Sequence, residues 1–163
     1  MLSMNSTLPT LSDRRYLLAR TAICGVLASL VVVSPTAVKA LPVGAFSEVN
    51  SGGGLPVITD TVARTTINLN APRTVISWNT YNVRPDETVT YNFASRDGIV
   101  LNKIIGLQPS KIEGIVEGRV GGALGGNIWF VSQNSIIIGK GARIDAGGLL
   151  FGIGTIKIGR AHV

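Results

Sequence analysis

Gly125-Gly126-Asn127-Ile128-Trp129-Phe130-Val131-Ser132-Gln133-Asn134-Ser135-Ile136-Ile137-Ile138-Gly139-Lys140-Gly141-Ala142-Arg143-Ile144-Asp145-Ala146-Gly147-Gly148-Leu149-Leu150 is the stretch that decides the fold. Two apolar runs rich in β-formers, Ile128–Val131 and Ile136–Ile138, flank a polar turn, Ser132–Ser135. A third, Ala142–Asp145, follows a Gly-Lys-Gly corner. Runs this short, bounded by glycine and asparagine, read as strands rather than helices. Glycine density and consecutive β-branched isoleucines exclude a helix independently. Strand, corner, strand, corner, strand is the rhythm of a β-solenoid coil, in which each rung buries one face against the next.

The same rhythm extends upstream. Thr65–Leu69 and Val75–Trp78 alternate around the corner Ala71-Pro72-Arg73. Arg84-Pro85-Asp86-Glu87 reads as a turn with proline placed to initiate it. Thr88–Phe93 puts Val89, Tyr91 and Phe93 on one face and Thr88, Thr90 and Asn92 on the other. Ser95-Arg96-Asp97-Gly98 turns into Ile99–Ile105, and Ile112–Val116 predicts a further strand. Gly121–Gly126 reads as a flexible corner; a phosphate loop would need a following helix with Lys-Ser/Thr, and none is present. No unit repeats at a fixed period, so the solenoid reading rests on strand rhythm.

Residues 1–40 read as a secretory signal: Arg14, Arg15 and Arg20 flank an apolar core of 13 residues, Thr21–Val33. That core is short for a membrane span, and Val38-Lys39-Ala40 ends on small residues, predicting cleavage after Ala40. Sec export is expected rather than the twin-arginine route, because Asp13 precedes the arginine pair. Cys24 lies inside the apolar core, so the mature chain is expected to carry no cysteine. Residues 41–56, ending in Ser51-Gly52-Gly53-Gly54, read as an irregular lead-in or linker, and residues 57–151 as the β-domain. Residues 152–163 are expected to be a truncated end. Ile158-Gly159-Arg160-Ala161-His162-Val163 matches a common sequencing adapter translated in frame.

Composition narrows the function. The chain has 163 residues, 45% apolar and 15% charged, with 20 glycines, which fits one ordered domain and neither disorder nor coiled coil. Half of the net +6 charge lies in residues 1–40. The rest is scattered singly without aromatic interleaving, so no nucleic-acid partner is expected. The sole histidine is His162, which removes His-based catalysis or metal binding from consideration. Asp86, Glu87, Glu48, Asp60, Asp97, Glu113, Glu117 and Asp145 fall at unrelated phases and read as solvated or turn-forming. No enzyme activity, cofactor or metal is expected. Trp78, Tyr91, Phe93, Trp129 and Phe130 lie in apolar strands and are expected to pack in the core or cap. Their competing role is a sugar-stacking platform on a free-standing carbohydrate-binding or adhesive module. Asn102, Asn127 and Asn134 fit corner positions.

The organising stretch also resembles the end of the N-terminal two-partner-secretion domain of filamentous-haemagglutinin-type exoproteins. The resemblance runs through Val75–Asn79, Val100–Ile104, Pro109–Gly114, Gly126–Gly139 and Ala142–Leu150, in the family's order. It implies an all-β, right-handed parallel β-helix with an N-terminal cap and extra antiparallel strands, here truncated at the C-terminus. It also implies a secretion module that leaves the cytoplasm by the Sec machinery. In the periplasm of a Gram-negative bacterium it would engage the POTRA domains of an outer-membrane transporter, then template β-helix folding outside the cell. A missing downstream part would meet host or bacterial surface glycans. The absence of a mature cysteine suits a chain threaded unfolded through a pore. By this resemblance Asn102 and the turn Ser132, Gln133, Asn134 and Ser135 are the candidates for transporter recognition. Trp78, Trp129, Gly139, Gly147 and Gly148 are the structural determinants. The family's Asn-Pro-Asn-Gly turn stands here as Ser132–Ser135, and loss of proline and glycine lowers its preorganisation.

Overall fold

Residues too short and too glycine-punctuated for helix pair instead with their counterparts one coil away. In the computed structural model, which describes residues 40–154, thirteen strands form and no helix does among the described residues. In chain order they are β1 (Phe46–Ser51), β2 (Val57–Asp60), β3 (Arg64–Asn68), β4 (Arg73–Trp78), β5 (Thr88–Asn92), β6 (Ile99–Ile104) and β7 (Ser110–Ile112). There follow β8 (Ile115–Val120), β9 (Ala123–Leu124), β10 (Asn127–Ser132), β11 (Ile136–Ile138), β12 (Arg143–Asp145) and β13 (Gly148–Ile153). The segment before Ala40 and the tail from Thr155, with Cys24 and His162, lie outside the described residues.

Parallel pairing stacks these strands into a β-solenoid of about 3 turns. One sheet runs β3, β5, β8, β12 and a second runs β4, β6, β10, β13. The third is narrower, with β7 against β11 and a parallel bridge from Val83 to Ile112. The first ladder passes through Arg64, Thr88, Ile115 and Arg143, at unequal intervals in sequence. Corners absorb the difference, and this is why no fixed period is visible in the chain.

The core lies between the sheets. Inward rows stack rung on rung: Thr74, Val100, Ile128 and Leu149 form one, and Ile76, Asn102, Phe130 and Phe151 the next. Ile67, Ile76, Val100, Ile104, Ile128 and Phe130 are fully buried. Each such side chain contributes about 1.5–3 kcal/mol by leaving water. Aromatic edges lock the layers together, with Tyr81 at 5.7 Å from Trp78 and 5.0 Å from Phe130.

Several sequence expectations change. The lead-in segment is not wholly irregular: β1 pairs antiparallel with β4, and a register shift between Ser47 and Val49 hides its alternation from a period-two reading. The run Ile112–Val116 is broken between β7 and β8. At Gly114 the backbone packs so tightly against the carbonyls of Arg84 and Glu87 that no Cβ fits. The Gly121-Gly122 corner is a tight hairpin joining β8 to β9, with φ of 57° and 85°. Two consecutive positive φ values make the two-residue turn that glycine pairs favour. Glu87, expected to be solvated or in a turn, sits in the turn but is 1% exposed.

Candidate functional site

Asn102 lies on β6 in an inward row whose other members are apolar, so its amide must be satisfied inside the core. Its Oδ1 accepts from Trp78 Nε1 at 2.9 Å and from the Tyr91 hydroxyl at 2.7 Å, and its Nδ2 donates to the Trp129 carbonyl at 3.3 Å. The Tyr81 and Tyr91 hydroxyls are 2.9 Å apart. Because Tyr91 gives its one proton to Asn102, Tyr81 donates to Tyr91. Burial drives both phenols well above their ordinary pKa, so the network stays neutral. Four elements meet at one side chain: β4, β5, β6 and β10. The folded domain therefore presents none of Asn102 to a partner, and any recognition of this side chain would fall to the unfolded chain.

The turn Ser132–Ser135 rests on the coil below it. Ser132 is fully buried, and its Oγ accepts from the Asn134 amide at 3.2 Å. Asn134 Nδ2 donates to the Gly106 carbonyl at 2.8 Å, and the Ser110 amide to the Ser135 carbonyl at 3.0 Å. These bonds supply locally what proline and glycine would otherwise preorganise. Gln133 and Ser135 are exposed at the surface of the turn.

Trp78 is buried at 1% exposure, whereas Trp129 points outward from β10 and is only partly covered. Packing in the core, expected of both, describes Trp78 alone. The strict alternation of Ile128 in, Trp129 out and Phe130 in decides it. Trp129 shares its outward row with Val75, Leu101 and Leu150. At Gly139 a Cβ would come within 2.6 Å of Glu113 Cγ, so any larger residue must displace the Glu113 side chain. At Gly148 a Cβ would run into Asn127 Oδ1. The amides of Gly147 and Gly148 both donate to the Gly126 carbonyl, at 2.7 and 3.2 Å. Gly126, which the sequence reading did not single out, combines φ of 77° with the Phe93 ring where a Cβ would lie. Its position in a glycine pair before an apolar strand was the available signal.

On the outward face of the first sheet, Glu117 accepts from Thr90 Oγ1 at 2.9 Å and from Arg119 Nη2 at 2.6 Å, with Arg64 3.7 Å away. Partial burial raises its pKa, but these bonds and the charges of Arg119 and Arg64 outweigh it and hold the carboxyl below its usual range. Among the described residues no three His, Cys, Asp or Glu side chains gather as metal ligands.

The last coil is open. Among the described residues β13 pairs only with β10, and β12 only with β8. Leu149, Phe151 and Ile153 continue the inward rows of Ile128, Phe130 and Ser132 but keep 47%, 41% and 77% of their surface exposed, and Phe151 stacks on Phe130 at 5.2 Å. Ile136 and Ile138 of β11 line a shallow cleft beside them.

A capped parallel solenoid is the architecture on the page, and a family model identifies the domain. The TPS secretion domain model matches residues 46–162, from the first residue of β1 onward. The chain belongs to the TPS secretion domain family. A TPS domain is a module of a two-partner-secretion exoprotein, and its partner is an outer-membrane transporter. The family is a secretion and adhesin module rather than a known enzyme family. Comparison with curated proteins gave no match.

Proposed function

We propose that residues 41–151 are the export signal and folding template of a larger adhesin-type or haemagglutinin-type exoprotein of a Gram-negative bacterium. The Sec machinery takes residues 1–40 as its signal, and cleavage follows Ala40. The remaining chain crosses the periplasm extended, binds the POTRA domains of its outer-membrane transporter, and folds on the outside. Surface glycans of host or neighbouring cells meet the downstream part of the exoprotein. The observation that carries this reading is the contrast between a closed first coil and an open last one. Among the described residues β13 has a partner on one side only, and its free edge, beside part-exposed Phe151 and Ile153, is what a further coil would join.

Co-expression tests it. The chain should reach the medium only when a matching two-partner transporter is present. Two cysteines that close a disulfide in the periplasm should stall export, and reducing conditions should relieve the block. Equal secretion without the transporter would sink the assignment. A second reading, a carbohydrate-binding or adhesive surface, draws on the outward row Val75, Leu101, Trp129 and Leu150. Glycan binding abolished by Trp129→Ala would favour it.

A further inference from the structure

Glu87 carries a carboxylate that is 1% exposed, and its two oxygens are held mainly by backbone amides. Oε2 accepts from the Arg84 amide at 2.8 Å, inside its own turn. Oε1 accepts from the Ala40 amide at 2.9 Å, across 47 residues of sequence. The nearest guanidinium nitrogen, Arg84 Nε, stands 3.7 Å from Oε1, beyond hydrogen-bond reach, on a side chain that also faces Asp86 at 3.8 Å. Among the described residues this buried carboxylate meets two neutral donors and one cation beyond hydrogen-bond reach, which leaves its charge incompletely matched. Just past Ala40 the chain turns into the core: Leu41 is 0% exposed and Pro42 is buried.

We propose that Glu87 is the seat of the mature N-terminus, binding the α-ammonium freed when the signal is removed and so closing the cap. The inference rests on the processing reading above. Cleavage after Ala40 puts a full positive charge with three donors at Leu41, one residue from the amide now bonded to Oε1. The order of events follows from burial. A peptidase needs an extended, accessible segment around the scissile bond, and in the folded cap Leu41 is sealed in. Removal of the signal therefore precedes cap closure, and the cap closes on a charge pair that the uncut chain does not possess.

The test uses the processed protein recovered from periplasm or medium, with or without the transporter. Its N-terminus is sequenced, and its α-amine is then acylated with acetic anhydride near neutral pH, in the folded state and in urea. Lys103 and Lys111 serve as internal references. The sequence should begin at Leu41. A paired ammonium raised by about one pKa unit holds about tenfold less free base, so folding should slow acylation at that nitrogen about tenfold. Glu87→Gln should restore the reactivity and lower the thermal midpoint by about 5 °C. After Nα-acetylation, the same substitution should cost markedly less. An α-amine equally reactive in folded and unfolded wild-type protein overturns the inference, as does protection that survives Glu87→Gln. A start elsewhere overturns it through the processing reading, whereas a start at Leu41 with a freely reactive amine overturns it alone. Should Glu87→Gln fail to fold, the comparison of folded with unfolded wild-type protein decides by itself.

Discussion

The two ends of the solenoid are built from opposite devices. At the first coil, antiparallel strands lie on both sheets: β1 on β4, with a bulge in its register, and β2 on β3. Leu41, Ile67, Ile76 and Trp78 beneath them are buried. At the last coil the strands are parallel and, among the described residues, unpaired on their outer side, and the core rows end in Leu149, Phe151 and Ile153, which stay 47%, 41% and 77% exposed. A bulge blunts an edge against further pairing. A regular parallel edge with apolar side chains beside it invites the next rung. Stability is therefore concentrated at the first coils, and capacity for growth at the last.

The hardest way to break this contrast is at the closed end. Trp78→Ala removes a fully buried ring that touches Tyr81 and donates to Asn102, and should cost about 3–5 kcal/mol. Urea denaturation of the processed chain measures it; a cost below that of an open-end truncation such as Phe151→Ala would reverse the comparison. Asn102→Ala comes next. It strands the Trp78 indole N–H and the Tyr91 hydroxyl in the core, so about 2–3 kcal/mol is expected. Asn102→Asp should not rescue, since a second acceptor oxygen replaces the amide that donates to the Trp129 carbonyl.

How the sequence carried this information differs between the ends as well. The alternating strand Thr88–Asn92 was legible because a period of two survives in residue type, whereas Ile128–Val131 was legible only as an apolar run between glycine and a polar turn. The closed end was less legible. The bulge in β1 breaks its alternation, and Glu87 looks like any turn carboxylate until Ala40 arrives from 47 residues away. Asn102 was expected at a corner but lies inside β6 and is fully buried, because a lone asparagine among apolar residues looks the same at a corner and inside a core. Only the stacking of Trp78, Tyr91 and Trp129 around it decides between them. Trp129 illustrates the reverse error: its place in an apolar run suggested the core or cap, while its position between two inward residues put it outside.

Trp129→Ala sharpens that last point with a smaller effect. Partial exposure limits the loss to about 1 kcal/mol, well below the cost expected at Trp78. Denaturation midpoints of the two variants, measured side by side, check the difference. Equal costs would mean that the outward row of Val75, Leu101, Trp129 and Leu150 is covered as thoroughly as the core.

The smallest change in stability belongs to Ile153→Asp at the open end. Ile153 is 77% exposed, so the substitution should move the unfolding free energy by no more than about 0.5 kcal/mol. Its effect should instead fall on association. An exposed parallel edge beside Leu149, Phe151 and Ile153 should let copies of the processed chain meet through their last coils. A carboxylate added there would have to be desolvated in any such contact, which costs more than the lost methyl groups contribute. Sedimentation velocity over a concentration series separates the two effects: wild-type protein should self-associate, and Ile153→Asp should remain monomeric with an unchanged denaturation midpoint. A variant that associates as readily as wild type would place the contact elsewhere. A variant that unfolds at markedly lower urea would mean that the last coil contributes to the core in the way the first coils do, and the division between the two ends would fail.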